Sequence, residues 1–411
     1  MHEPVAIAQR AAPRFTEFVA LVALMMAMTA LSIDIMLVAL PEIGAWYALT
    51  DPNAQQYVIV AYMIGFALGQ PLYGPLSDRF GRKPVLYFGM GLFILGTVAA
   101  VLAPGYAVML LARGLQGFGS ASARVIGVAI TRDLFVGRGM SRVMSFVMMV
   151  FMIVPIVAPS LGSAILTVGD WRWVFLSLLI GAVVLVGWTW LRLPETLAPE
   201  NRRPLSWVAL ASAVKLLVAD RQTLGYTVAT GFIFGCLIAY ISSAEQVFVD
   251  AYALGSDFPL VFGSIAATMI LASITNVRFV ERVGMRRISH AASVALVVAC
   301  AVFAAIGFPD HPPLAVFIGF LVVLFYCFGL VMPNFNSLAM EPLGHMAGIG
   351  SSFIGFYTTI AGAVLGAVVS QSFDGGIRPL MIGFTVLSVL TLISVLLTER
   401  GKLFQAHQVS H

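Results

Sequence analysis

The sequence predicts an all-α membrane protein of twelve transmembrane helices, arranged as two pseudo-symmetric six-helix bundles. Three observations carry that expectation. Of the 411 residues, 60% are hydrophobic and only 10% are charged, against about 25% charged in a soluble domain. Mean hydropathy is +0.96, so no water-facing surface can be built from this composition. The apolar residues also gather into twelve stretches near the ~20 residues that a bilayer core requires, and the longest polar interval divides them six and six.

Charged or Pro/Gly-bearing breaks place the stretches at about 16–40, 55–76, 85–103, 107–131, 143–167, 173–192, 223–249, 259–280, 289–308, 314–339, 347–372 and 379–398. The first runs past 20 residues and lacks a small-x-small exit, so it is expected to be a retained helix and not a cleaved signal. The polar interval holds Pro194, Glu195, Pro199, Glu200, Asn201, Arg202, Arg203 and Pro204. It is expected to form a cytoplasmic linker over 193–222, between an N-terminal bundle (1–192) and a C-terminal bundle (223–398), with a cytoplasmic tail at 399–411.

The net charge of +4 does not mark a nucleic-acid binder, because its distribution follows a membrane rule. Nineteen of the 23 Lys and Arg residues fall on one set of loops and tails; only Arg172 and Arg378 lie in the opposite loops, and Arg113 and Arg124 are inside spans. This is the positive-inside pattern with both termini cytoplasmic. The three cysteines, Cys236, Cys300 and Cys327, fall inside spans and read as small core residues, with neither a disulfide nor a metal expected.

A repeat joins the halves. The segment after span two reads GPLSDRFGRKP (74–84) and that after span eight reads FVERVGMRR (279–287), so that Asp78, Arg79 and Gly81 recur as Glu281, Arg282 and Gly284. Gly74 and Gly81 are expected to permit a tight connection, Asp78 to face a helix N-terminal dipole, and Arg82 and Lys83 to lie at the cytoplasmic surface. The alternative is a basic loop that only orients the chain.

Four ionisable side chains stand inside apolar stretches: Asp34, Arg113, Arg124 and Glu245. Charge at membrane depth is costly and marks a substrate or ion path. In span four, Arg113, Gly117, Ser120 and Arg124 share one helical face, which must therefore line an interior cavity. Snorkelling is the alternative for Arg124. At ~1.5 Å rise per residue, Asp34, Arg113 and Glu245 fall in one layer roughly 6–9 Å below the periplasmic edge, which leaves an Asp34–Arg113 contact open. A purely structural ion pair is the competing reading.

Span five carries VPIVAPSLGSA (154–164), where Pro155 and Pro159 bend a helix and Gly162 admits a neighbour. Tyr62, Phe66 and Gln70 in span two, Tyr240 in span seven, and Met149 with Met148 and Met152 in span five are candidates for a soft substrate cavity; ordinary packing is the alternative. The six histidines lack ligand spacing, and the sequence holds no Walker loop, nucleophile triad or metal cluster. No cofactor, metal or enzyme activity is expected.

Taken together, SIDIMLVALPEIG (32–44), GPLSDRFGRKP, RGLQGFG (113–119), TRDLF (131–135), SRVMSFVM (141–148), LPETLAPENR (193–202) and HMAGIGSSFIG (345–355) resemble the bicyclomycin-resistance (Bcr/CflA) type of drug:proton antiporter, within the major facilitator superfamily. The resemblance implies the major facilitator fold and a monomeric exporter in the bacterial inner membrane that uses protons to expel small hydrophobic or cationic drugs. It also implies a proton- or substrate-binding role for Asp34, a coupling role for Arg113, gating by the segment around Asp78 and Arg82, and a bend in span five that shapes the cavity. Two departures stand out. Met25, Met26 and Met28 occupy the stretch where some relatives carry a second acid, and Glu245 stands where an uncharged residue is usual, so it is expected to serve coupling or to line the cavity opposite Asp34 and favour cations. A transporter of one small metabolite on the same fold is the alternative function, and a membrane enzyme or sensor the more distant one.

Overall fold

Apolar runs with no water to bond their backbone groups must close those bonds internally, and here they do so as helices. The computed structural model describes residues 13–135, 138–202, 214–215, 217–306 and 311–404. Twelve long helices are present among them: α1 (Phe15–Asp34), α2 (Tyr57–Phe80), α3 (Arg82–Val101), α4 (Tyr106–Leu134), α5 (Arg138–Leu166), α6 (Trp171–Arg192), α7 (Arg221–Glu245), α8 (Phe258–Val283), α9 (Met285–Ala305), α10 (Leu314–Met340), α11 (Ala347–Ser370) and α12 (Arg378–Thr398). The end of the molecule that carries the start of α1 and the end of α12 is called the terminal end, and the other the distal end. Arg10, positions 203–213 of the expected linker and 405–411 of the tail lie outside the described residues.

Eleven of the helices are long and apolar enough to cross a membrane. The exception is α4, which was expected to be a twelfth apolar span. Its Arg113, Gln116, Ser120 and Ser122 are buried against its neighbours and not offered to lipid. Close approach makes this possible: a Cβ at Gly117 would lie 2.0 Å from the Tyr62 carbonyl oxygen on α2, and one at Gly119 only 2.3 Å from the Phe93 nitrogen on α3. Small residues at these crossings bring backbones into contact, the usual device of helix association in lipid.

The two bundles share a device at the terminal end. Gly81 (φ +100°) separates α2 from α3, and Gly284 (φ +92°) separates α8 from α9, a left-handed backbone that a side chain resists. GPLSDRFGRKP is thus not a loop throughout: Gly74 to Phe80 belong to α2, and only Gly81 breaks the helix. Arg82 is also not a surface residue. It is 3% exposed, with Nε donating to Asp133 Oδ2 at 2.8 Å, Nη1 donating to Ser77 Oγ at 2.8 Å, and an ion pair to Asp78. Asp78 therefore faces this guanidinium, while Glu195 meets the N-terminus of α3 by accepting from the backbone N–H of Arg82 (2.9 Å) and Lys83 (3.0 Å). Arg79 is exposed beside Phe80. In the second bundle Arg286 pairs with Glu341 (3.2 Å) and Glu399 (3.1 Å), acids that follow α10 and α12 as Asp133 ends α4 and Glu195 follows α6.

Two helices depart from the continuous spans expected. α1 ends at Asp34, passes through a 3₁₀ turn at Leu37–Ala39 and resumes as a short helix, Leu40–Trp46. α7 ends at Glu245 and continues as a π-helical stretch, Gln246–Ala251. Both predicted intramembrane acids are therefore the last residue of an α-helix, at equivalent places in the two bundles.

Candidate functional site

α4 positions the guanidinium of Arg113 at the centre of the first bundle. The residue is fully buried (0% exposed), and its planar fork is filled: Nη2 donates to the Ser32 carbonyl at 3.1 Å, Nε to the Val58 carbonyl at 3.1 Å, and Nη1 to Gln116 Oε1. Gln116 is fixed in turn by donating to Thr97 Oγ1 at 2.8 Å. The Tyr62 ring lies 4.6 Å from the guanidinium carbon and the Phe175 ring 5.6 Å, so two aromatic faces share its charge. A planar cation that reaches two backbone carbonyls at once is a job for arginine and not for lysine.

Asp34 lies two residues beyond the carbonyl that Arg113 holds. It is 3% exposed and makes no ion pair with Arg113 within 4.0 Å. The contact left open by the depth argument is not made; α1 ends there, and the freed carbonyl of Ser32 takes the guanidinium in place of the carboxylate. Arg113 thus grips the backbone that carries the acid, while the acid itself has no ion-pair partner among the described residues.

Gly162 holds the broken segment from the other side. A Cβ at this position would lie 2.8 Å from the Ile35 carbonyl oxygen and 2.7 Å from Val38 Cγ2, so α5 touches α1 directly at the break. Pro155 and Pro159 both lie within α5 one and two turns earlier. The helix also meets the second bundle there: a Cβ at Gly263 on α8 would come within 2.8 Å of the Ile156 carbonyl oxygen.

The other predicted cavity residues divide. Tyr62 is buried, donating from its hydroxyl to Ser120 Oγ at 2.7 Å, and stacks on Phe66, over which Arg124 is placed at 5.6 Å. Gln70 joins the bundles, with Nε2 donating to Thr359 Oγ1 on α11 at 2.9 Å; a Cβ at Gly74 would meet Ser352 Oγ on α11 at 3.7 Å. Tyr240 is enclosed by Phe248, Phe262 and Phe325 of its own bundle, and its hydroxyl has no hydrogen-bond partner. Met149 does not fit the expectation of a soft cavity wall. It is 56% exposed, on a stripe with Phe146, Ile153, Val157 and Leu161 at helical spacing, the pattern of a lipid-facing side. Glu245 is 4% exposed and lines a cleft between the bundles that it shares with Val38, four residues past Asp34.

Sequence reasoning missed a set of neutral amides at the distal end. Gln56 donates to Gln246 Oε1; Gln246 Nε2 donates to the Pro52 carbonyl (3.1 Å) and to Asn53 Oδ1 (3.0 Å). Asn53 Nδ2 donates to the carbonyls of Gln371 (3.1 Å) and Phe373 (2.8 Å), and Gln371 Nε2 returns to the Asn53 carbonyl at 2.8 Å. Every one of these bonds crosses from the first bundle to the second, and Gln56 and Gln246 are essentially buried. The amide-rich DPNAQQ (51–56) was the available signal.

Two bundles, joined by an amide clasp at one end and holding buried charges at helix ends, match a known sequence family: the description "Major Facilitator Superfamily" fits residues 22–367. The chain belongs to this superfamily. Its members are membrane transporters, and relatives span nearly the whole chain. An uncharacterized MFS-type transporter, YdgK of Bacillus subtilis, is 32% identical over 82% of this chain and 85% of its own. A bicyclomycin resistance protein homolog of Haemophilus influenzae is 30% identical over 85% of this chain and 88% of its own. Multidrug resistance protein MdtL of Escherichia coli is 26% identical over 92% and 95%. Among solved structures, the human organic anion transporter MFSD10 superposes with a TM-score of 0.68 at 19% identity, over 94% of this chain and all of that one. The xylose transporter XylE superposes equally well at 12% identity, over 94% and 97%. At such identities the two structures speak for the fold alone.

Proposed function

We propose that the chain is a proton-coupled exporter of small hydrophobic and cationic drugs, working as a monomer by alternating access in the bacterial inner membrane. The terminal end faces the cytoplasm, where most of the Lys and Arg residues gather, and the distal end faces the periplasm. One observation carries the reading: Asp34 is a buried acid with no fixed cation, at the end of a helix whose backbone is held by Arg113.

An acid in that position exchanges a proton for another positive or hydrogen-bonding partner at small structural cost, because Arg113 is anchored to carbonyls and does not follow the exchange. The relatives named for drug resistance support the substrate class. Between the two faces, the amide clasp acts as the periplasmic gate, the Arg82–Asp78–Asp133 and Arg286–Glu341–Glu399 locks stiffen each bundle, and the bundles move against each other along α2/α11 and α5/α8.

The test is drug and proton movement in proteoliposomes carrying an imposed pH gradient. The wild-type protein accumulates a resistance-class drug against its gradient and releases protons on drug addition, and Asp34→Asn abolishes both. A wild-type drug gradient built by the Asp34→Asn protein sinks the assignment.

A further inference from the structure

Of the two buried acids, Glu245 ends the helix of the second bundle, whereas Arg113 and the carbonyls that it holds belong to the first. The residue ends α7 at the start of the π-helical stretch Gln246–Ala251, and such stretches occur frequently at functional sites. Oε2 is enclosed and has no hydrogen-bond partner among the described residues. The residue lines a cleft of about 340 Å³ walled by both bundles, with Val38 beyond the α1 break, Ser163 near the end of α5, Val249 of the π stretch and Phe258 of α8. That volume lies at the small end of the range for small-molecule sites.

The chemistry of the wall is one-sided. Among the described residues, Glu245 is the one charged member, and the others are apolar or hydroxyl-bearing. Asp250 and Asp257, exposed close by in the chain, add further negative potential. A carboxylate enclosed without a partner is costly until a cation completes it.

We propose that this cleft binds a lipophilic monovalent organic cation, with Glu245 as the anionic anchor and Phe258 and Val249 holding the apolar body. Its place on a transport path rests on the exporter reading; the binding does not. The neighbouring Gln246 belongs to the amide clasp, so a ligand seated against Glu245 bears on the segment that must move for the distal end to open.

The test compares two probes of nearly the same shape, phenyltrimethylammonium and neutral tert-butylbenzene, by equilibrium binding to the full-length protein in nanodiscs. Wild type is expected to hold the cation at least about tenfold more tightly than the neutral probe, equivalent to about 1.4 kcal/mol. Glu245→Gln erases that preference and keeps the neutral affinity, whereas Ser163→Leu, which fills the cleft from α5, weakens both. A preference that survives Glu245→Gln, or cation binding untouched by Ser163→Leu, overturns the assignment. So does a Glu245→Gln protein that binds both probes as wild type does but has lost proton-driven transport, since the occupant is then a proton. Because binding is read without transport, a wild-type protein that builds no drug gradient removes the exporter reading alone, and failure of the probe comparison removes this site alone.

Discussion

Replacing Gln246 by Leu keeps the volume at the distal clasp and removes its amide. Three hydrogen bonds across the bundles are lost: those with Gln56, with the Pro52 carbonyl and with the Asn53 side chain. Each neutral bond contributes about 1 kcal/mol net when its alternative is water. In the closed clasp the Gln56 amide nitrogen stays buried and unpaired while Pro52 and Asn53 lie partly open to water, whereas in an opened one all three are hydrated. The closed state therefore loses about 2–3 kcal/mol relative to the open one, a shift of roughly 30- to 150-fold in their ratio. Nitroxides at the exposed positions Thr50 and Asp374, with the three buried cysteines replaced, report the gap by double electron–electron resonance. Gln246→Leu is expected to move the distance distribution to longer values, and equally so at low and high ionic strength, because the lost bonds carry no net charge. An unchanged distribution, or a shift that salt abolishes, refutes the clasp as the gate.

Arg113→Lys should leave a folded protein but slow drug transport by at least about tenfold, since a point charge cannot hold two carbonyls and Gln116 together and each lost charge-assisted bond is worth about 1.5–3 kcal/mol. Initial rates in proteoliposomes check this, and full activity would reduce Arg113 to a simple counter-charge. Gly162→Ala should lower stability by about 1–3 kcal/mol, because its methyl group enters the contact with the Ile35 carbonyl and Val38. Thermal unfolding measures the loss, and an unchanged Tm would mean that the α1 break yields without cost.

Eleven of the helices were legible because hydropathy sums over some twenty residues, so that single errors average out, and α4 from the polar breaks that bound it. Positive φ at Gly81 and Gly284 was legible because only glycine adopts it freely, and the repeat placed both. What hid was of two kinds. Arg82 finds Asp133 51 positions away, and the backbone of Arg82 finds Glu195 113 positions away. The strings TRDLF and LPETLAPENR carried these acids, but no local period links them to the arginine. The helix ends at Asp34 and Glu245 had no local mark, since neither Ile35–Leu40 nor Gln246–Ala251 contains glycine or proline. Tertiary contact sets these ends, through the Arg113 grip on the Ser32 carbonyl and the Gln246 bonds to the first bundle.

The kinds of bond at the two ends suit different mechanical tasks. Among the described residues, the ion pairs at the terminal end each join parts of one bundle, through Arg82 and Arg192 in the first and Arg286 in the second. Charge-assisted bonds are about twice as strong as neutral ones, so they favour bundles that stay rigid. At the distal end the amide bonds of the clasp cross between bundles and are neutral, and water replaces them at small net cost when they part. A molecule that must rock as two rigid bodies needs strong bonds within each body and exchangeable ones between them. The acids at the ends of α1 and α7 stand beside segments that join or face the two bodies, and a change of occupant at either is felt where the bodies meet.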